Sequence, residues 1–326
     1  MTRPRHTAQQ YVEGVLAGDR AFLARSITLV ESDNPHDGPI AREVIEGCLP
    51  HSGRSIRVGI TGIPGVGKST FIEALGKHLI DGFGERVAVL SVDPSSQISG
   101  GSILGDKTRM ERLGADERAF IRPSPARGHL GGVGRHTREA ILLCEAAGFG
   151  TILVETVGVG QSETAVRGMT DFFLLLMLAG AGDELQGIKR GILEMVDLLA
   201  INKADGDNAV RAEKARREYE NALHLFPPTE DGWIPRTVTC SGLTGSGVAD
   251  VWSIVREHHA VMQASGGFKQ RREGQAVDWL RDLISQALEA EFRRRPRMET
   301  RLRETELAVR QGALNPISAA ASLFAQ

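Results

Sequence analysis

The stretch Gly59-Ile60-Thr61-Gly62-Ile63-Pro64-Gly65-Val66-Gly67-Lys68-Ser69-Thr70, GITGIPGVGKST, decides the fold. It follows Ser55-Ile56-Arg57-Val58, an alternating run that reads as a strand, and precedes Phe71-Ile72-Glu73-Ala74-Leu75, which reads as a helix. From Gly62 to Ser69 the residues fit G-x-x-x-x-G-K-[ST], a loop whose backbone N–H groups cradle phosphate oxygens. Gly62, Gly65 and Gly67 allow the tight backbone angles, and the helix starting near Lys68 adds its positive N-terminal end. Ile63, Pro64, Val66 and Thr70 complete the cradle. Lys68 is expected to reach the β- and γ-phosphates, and the Ser69 hydroxyl to ligate Mg²⁺. A plain glycine-rich turn has no reason to place Lys-Ser at the start of a helix behind an apolar strand.

Further apolar runs recur along the chain at Val87 to Asp93, Thr151 to Thr156, Phe172 to Leu178, Leu198 to Asn202 and Thr237 to Ser241, with helical patterns between them. Strands alternating with helices predict an α/β fold, a doubly wound and mostly parallel sheet with its ligand beyond the carboxyl ends of the strands. Residues 7 to 49 look helical, with Tyr11, Val12, Val15, Leu16, Phe22, Leu23 and Ile27 at helix spacing and a break at Asp33-Asn34-Pro35. After Trp252 the pattern is helical again. Val277, Leu280, Leu283, Ile284, Ala287, Leu288 and Phe292 mark one apolar stripe, which needs either its own core or a second subunit to cover it. The expected organisation is an N-terminal helical extension (1–55), a P-loop domain (56–260) and a C-terminal helical arm (261–326), the arm a candidate for dimerisation.

Composition narrows the partners. The 326 residues carry 39 Lys+Arg against 41 Asp+Glu, a net charge of −2, so no global field recruits nucleic acid or an anionic membrane. The basic run Phe292-Arg293-Arg294-Arg295-Pro296-Arg297 reads as charge complementing a helix end rather than as an RNA patch. The three cysteines, Cys48, Cys144 and Cys240, are far apart and lack a C-x-x-C pair, which fits buried thiols in a reducing cytoplasm. Phe172 to Ala179 is too short to span a bilayer, which takes about 20 residues, and reads as a central strand buried on both faces. The start of the chain has no secretory apolar stretch, and a soluble cytoplasmic protein is expected.

Two loops choose the nucleotide. Behind Leu198-Leu199-Ala200-Ile201 comes Asn202-Lys203-Ala204-Asp205, N-K-x-D at a strand end. A carboxylate placed like Asp205 accepts hydrogen bonds from guanine N1–H and the exocyclic amine, whereas adenine offers an acceptor at N1 and lacks that amine. Asn202 would support the surrounding loops, and the Lys203 stem would lie along the base. Cys240-Ser241-Gly242-Leu243-Thr244-Gly245 follows another strand as a second base-binding segment. Oxygen ligands for Mg²⁺ are expected from Ser69, from Asp93 in VDPSS, from Glu155 in ETVGVGQ, and from Asp106 beyond Ser99-Gly100-Gly101-Ser102. Glu155 takes the acidic place of D-x-x-G, and the N–H of Gly158 would sense the γ-phosphate.

With GIPGVGKST, VDPSS, ETVGVGQSE and NKAD in this order, the chain resembles the MeaB/ArgK family of SIMIBI-class P-loop GTPases, whose human relative is the methylmalonic aciduria type A protein. The likeness runs from about Ile56 to Leu243, and the flanking helical arms also resemble that family's. It implies a homodimeric chaperone that binds and hydrolyses GTP to gate adenosylcobalamin delivery to methylmalonyl-CoA mutase and to protect that enzyme. It also implies a further switch around Leu178 to Arg190, from which Lys189 would bring charge to the phosphates. Gln161 is a candidate for orienting water, although it stands three residues beyond Gly158 rather than next to it. Glu155 and Lys68 complete the expected catalytic set. Two other readings remain: a metal-delivery GTPase and a small-molecule kinase. The first wants a Cys/His cluster, and of the nine histidines only His258-His259 are adjacent, a pair read as a solvated helix feature. The second wants an acceptor pocket and a base, and gains nothing from N-K-x-D.

Overall fold

β1 (Ile56–Gly62) sits in the middle of the sheet because its neighbours on both sides are apolar strands that cannot face water. The structure, a computed structural model, describes residues 6–32, 34–92, 110–123, 130–156, 162–180, 190–226, 232–295 and 297–324, with backbone alone at 130–135, 162 and 190. Among these residues β1 is joined by β2 (Val87–Val92), β3 (Ala119–Pro123), β4 (Thr151–Thr156), β5 (Phe172–Leu178), β6 (Leu198–Asn202) and β7 (Arg236–Thr239). All pair in parallel, in the order β3-β2-β4-β1-β5-β6-β7. The chain lays β2 and β3 on one side, returns to set β4 between β2 and β1, and then adds β5, β6 and β7 on the other side, so the order reverses beside β1, which is where such sheets hold ligands.

Six of the strands are those expected from the apolar runs. The seventh, β3, was missed: only five residues long, it pairs with β2 alone and ends in Arg122-Pro123, so it lacks the apolar run of a doubly buried strand. β5, FFLLLML, is buried along nearly its whole length, which is why it reads as unbroken apolar sequence.

Two cores follow from strand alternation. On one face Val58 and Ile60 meet Phe71, Ile72, Leu75 and Leu79 of α4 (Lys68–Phe83), with Val251, Trp252 and Val255 from later in the chain. On the other, Ile152, Val154 and Phe173 meet the N-terminal residues Val15, Leu23, Ile27 and Val44. Those residues belong to α1 (Ala8–Leu16), α2 (Arg20–Val30) and α3 (Gly38–Cys48), capped by Thr7 and Asp19 at the starts of α1 and α2. α6 (Leu130–Ala146), α7 (Ser162–Arg167), α8 (Arg190–Leu193) and α9 (Ala209–Leu223) add to this layer, while α5 (Glu111–Gly114) and α10 (Val248–Ser265) lie with α4 on the first face. All three cysteines are buried and free, and burial pushes the Cys48 thiol up to about 11 and that of Cys240 up to about 12.

The chain divides into two compact units, residues 1–275 and 276–326. The N-terminal helices belong to the first unit, and the division between the units falls within α11 (Gly267–Arg294). The second unit continues with α12 (Met298–Arg310) and α13 (Pro316–Phe324). Val277, Leu280, Ile284 and Leu288 of the apolar stripe are exposed. Among the described residues no helix is long and apolar enough to cross a membrane.

At the amino ends of the strands, opposite the glycine-rich loop, buried charges are paired. Arg272 forks onto Asp171 at 2.9 and 2.7 Å, and Asp171 also accepts the Arg57 N–H at 2.8 Å. Arg57 in turn forks onto Glu145 at 2.9 Å through both nitrogens. Asp197, fully buried, takes Arg167 at 2.6 and 3.3 Å and the Phe173 N–H at 2.8 Å. His258 lies 3.8 Å from Asp197 and edge-on to Phe172 and Trp233. The expectation of a solvated His258-His259 pair is thus corrected: α10 turns His258 into the core and half-buries His259, because the apolar stripe of that helix includes position 258.

Burial lowers His258 to about 4, with Arg271 and Arg167 pushing the same way and Asp197 and Asp171 opposing. The unfolded chain, with His near 6.5, therefore binds a proton that the folded chain refuses between about pH 6.5 and 4, so stability falls as pH drops through that window. Wild type is expected to lose about 2 kcal/mol from this group between pH 8 and pH 5, a share that His258→Gln does not lose. Urea unfolding of both proteins across that range measures it, and identical pH slopes would show that His258 titrates normally.

Candidate functional site

The glycine-rich loop leaves β1 through Gly62, where the backbone must pass close to β5. A Cβ on Gly62 would stand 2.4 Å from the Leu176 carbonyl oxygen, so no other residue fits. Gly67 adopts φ 93°, and this left-handed turn delivers Lys68 to the first turn of α4. Lys68 is only 9% exposed. Its ammonium donates to the carbonyls of Gly62 at 2.7 Å and Ile63 at 3.3 Å, so the loop closes around its own lysine. Burial lowers the Lys68 pKa, and the negative charges of Glu155 and Glu163 oppose that shift.

Ser69 is one residue further on, and its hydroxyl donates to Glu155 Oε1 at 3.2 Å. Glu155 is buried in the last turn of the β4 ladder, opposite Ile60. A hydroxyl beside a carboxylate is a set of hard oxygen donors of the kind Mg²⁺ takes. On the other face of the same strands Thr156 Oγ1 donates to Thr61 Oγ1 at 2.8 Å, tying the end of β4 to the end of β1.

The N-K-x-D segment is built into this loop from behind. Asn202 Nδ2 donates to the Val66 carbonyl at 2.8 Å, and its Oδ1 accepts the Gly242 N–H at 3.0 Å. Lys203 takes φ 59°, an unusual backbone for a lysine, and its ammonium reaches the Gly65 carbonyl at 2.9 Å. Asp205 is half-buried and receives the Ser241 hydroxyl at 2.6 Å, which fixes one carboxylate oxygen. Asn202 therefore braces three loops, Lys203 closes the phosphate loop from outside, and Ser241 orients Asp205.

The structure thus gathers Gly62 to Ser69, Glu155, Asn202, Lys203, Asp205, Ser241 and Gly242 at one rim of the sheet. Thr70 and Leu243 are exposed beside them. Asp93, Asp106, Gly158, Gln161 and Lys189 lie outside the described residues. Among the described residues no group of three or more His, Cys, Asp and Glu is arranged to hold a metal ion. One residue that sequence reasoning passed over is Glu163, buried in the first turn of α7, whose negative charge acts on Lys68. The signal was an acid next to the buried face of a helix that begins just after ETVGVGQ.

Comparison with known proteins follows the same lines. A family model described as methylmalonyl Co-A mutase-associated GTPase MeaB matches residues 23–297. A Caulobacter vibrioides protein described as a GTPase is 53% identical over 307 residues, covering 94% of this chain and 93% of that one. GTPase ArgK of Escherichia coli is 46% identical over 310 residues, 95% of this chain and 93% of that one. The mitochondrial methylmalonic aciduria type A homolog of Mus musculus is 46% identical over 317 residues, 94% of this chain and 76% of that one. The solved structure of a LAO/AO transport system kinase superposes with a TM-score of 0.77 at 38% identity, covering 99% of this chain and 98% of that one. A seven-stranded parallel sheet with a P-loop, guanine-type loops braced on it and these relatives have one reading: the chain is a guanine-nucleotide-binding GTPase and belongs to the MeaB family of methylmalonyl Co-A mutase-associated GTPases.

Proposed function

We propose that this GTPase is a chaperone of adenosylcobalamin-dependent methylmalonyl-CoA mutase, using GTP binding and hydrolysis to gate cofactor delivery and to protect the enzyme. The observation that carries it is the match of residues 23–297 to a mutase-associated family, together with a phosphate loop and N-K-x-D segment hydrogen-bonded into one rim. In this reading Lys68 meets the β- and γ-phosphates and Asp205 holds the guanine edge. The Ser69 hydroxyl and Glu155, with Asp93 and Asp106, hold Mg²⁺, which when bound offsets charge on the phosphates. Gln161 orients water, Gly158 senses the γ-phosphate, and Lys189 adds charge to the phosphates. The protein acts in the cytoplasm, consistent with buried free thiols.

The second unit acts as a dimerisation arm. Its stripe of Val277, Leu280, Ile284 and Leu288 lies at helical spacing on α11 and is exposed, and a second copy of the same chain is the partner that covers it. On this reading the wild type is a dimer by light scattering, and Leu280→Glu with Ile284→Glu is a folded monomer. A wild-type monomer, or a doubly substituted dimer, would place the interface elsewhere or nowhere.

Guanine choice rests on Asp205. Asp205→Asn removes the acceptor for N1–H and the exocyclic amine, so GTP affinity is expected to fall at least tenfold while xanthosine triphosphate binding rises. Unchanged discrimination between the two nucleotides would remove Asp205 from the base site.

The client is tested by GTP turnover of the purified protein, alone and with the mutase, with ATP as control. A slow GTP-specific rate that rises by about tenfold or more on adding the mutase is expected, well within the roughly 10³–10⁵ that a charge supplied by a partner can contribute. A rate indifferent to the mutase would leave the GTPase and remove this client.

A further inference from the structure

A cavity of about 420 Å³ opens away from the nucleotide loops, lined from α1, α2, α3 and the end of β3. Its size is that of a small-molecule pocket, which runs from about 300 to 1,000 Å³. Tyr11, Leu29 and Ile40 give it apolar surface, while Arg25, Arg122 and Asp37 give it charge. Arg122 is the last residue but one of β3, at the same end of the parallel sheet as the glycine-rich loop. Three strand spacings, roughly 14 Å, separate β3 from β1, and no residue of the phosphate or base loops is among those lining the cavity.

Both guanidiniums are held in place without being closed off. Arg122 Nη2 donates to Glu31 Oε2 at 2.6 Å and to Thr28 Oγ1 at 3.2 Å. This contact runs through one nitrogen, unlike the two-nitrogen forks at the amino ends of the sheet. Among the described residues Nε is buried without an acceptor, and Nη1 makes no hydrogen bond. Arg25 meets no carboxylate among the described residues. Its Nη1 lies 3.2 Å from His6 Nε2, and because a guanidinium only donates, the imidazole accepts. The Phe22 ring stands 5.7 Å from its Cζ. A neutral ring nitrogen and an aromatic face fix where Arg25 stands and leave its charge uncompensated.

The charges decide what the cavity can take. Glu31 already stands against Arg122, and Asp37, which accepts the Ser32 hydroxyl at 2.7 Å, adds a carboxylate to the lining. A phosphate dianion would bring its second charge against those two acids. A carboxylate brings one charge, and its planar pair of oxygens matches the paired N–H groups of a guanidinium. We infer that the cavity is a second small-molecule site, which takes an organic monocarboxylate: the head lies between Arg25 and Arg122, and an apolar body packs on Tyr11, Leu29 and Ile40. The assignment is independent of the client and of how the nucleotide is held.

The test is titration calorimetry of phenylacetate and of hexanoate into the full chain, with GDP and Mg²⁺ present so that the nucleotide site is filled. Phenylacetamide serves as the uncharged twin and inorganic phosphate as the multiply charged control. Phenylacetate is expected to bind saturably, one per chain, and phenylacetamide and phosphate about tenfold more weakly or worse, since charge-assisted hydrogen bonds are lost or opposed. Arg25→Gln, at an exposed position, is expected to weaken phenylacetate by about tenfold. Ile40→Trp keeps both arginines, fills the cavity and is expected to abolish binding. Melting temperatures and GDP affinity show that each variant is folded. Failure of both carboxylates to bind saturably up to about 10 mM, weaker than a specific site requires, overturns the inference. So does equal binding of phenylacetate and its amide, which would make the cavity an apolar groove only. Phosphate binding as tightly as phenylacetate overturns the choice of a singly charged head, and full affinity in Arg25→Gln or Ile40→Trp places the binding elsewhere.

Discussion

A nearly buried ammonium at the carboxyl end of the central strand is the constraint on which this molecule depends. Removing an isolated charge from water costs many kcal/mol, so Lys68 persists there only because the fold surrounds it with acceptors. The carbonyls of Gly62 and Ile63 lie within hydrogen-bond reach, and two carboxylates lend their field. Each acceptor makes a demand of its own. Gly62 must be glycine because β5 passes too close for a side chain, and the loop must hold its turn without help from regular pairing. That help comes from Asn202 and Lys203, which bond the carbonyls of Val66 and Gly65 from β6. The N-K-x-D segment is thus also the scaffold of the phosphate loop.

How much of this was legible in the sequence depends on whether the relevant interaction is local. The phosphate loop, the six apolar strands and the helical stripes were readable because glycine spacing and apolar periodicity act over a few residues. β3 was not, since an edge strand ending in Arg122-Pro123 needs only one neighbour and little apolar sequence. His258 read as solvated because adjacency to His259 suggested a surface pair, while its burial is decided by Phe172 and Trp233, distant in the chain. Glu163 was passed over for a similar reason: its charge acts on Lys68, and no spacing rule links the two. The pairings of Ser241 with Asp205 and of Thr156 with Thr61 likewise join residues that meet only through strand order.

The two ends of the sheet handle buried charge in opposite ways, and this decides which end holds the ligand. At the amino ends Asp171, Asp197 and Glu145 each meet a guanidinium from the chain, in forks of 2.6 to 3.3 Å that satisfy both partners. A pair of that kind, buried and closed, has no unmet affinity, and losing one member leaves an uncompensated charge. At the carboxyl ends the cation is a lysine, which has no fork to complete and whose nearest bonded neighbours are neutral carbonyls. Carbonyl dipoles keep such a charge tolerable but do not neutralise it. An arriving anion with several oxygens does better than they do, and the loop's N–H groups and the start of α4 favour it further. The glycine-rich loop therefore offers a phosphate a cation whose hydrogen bonds go to neutral carbonyls rather than into a closed guanidinium–carboxylate fork.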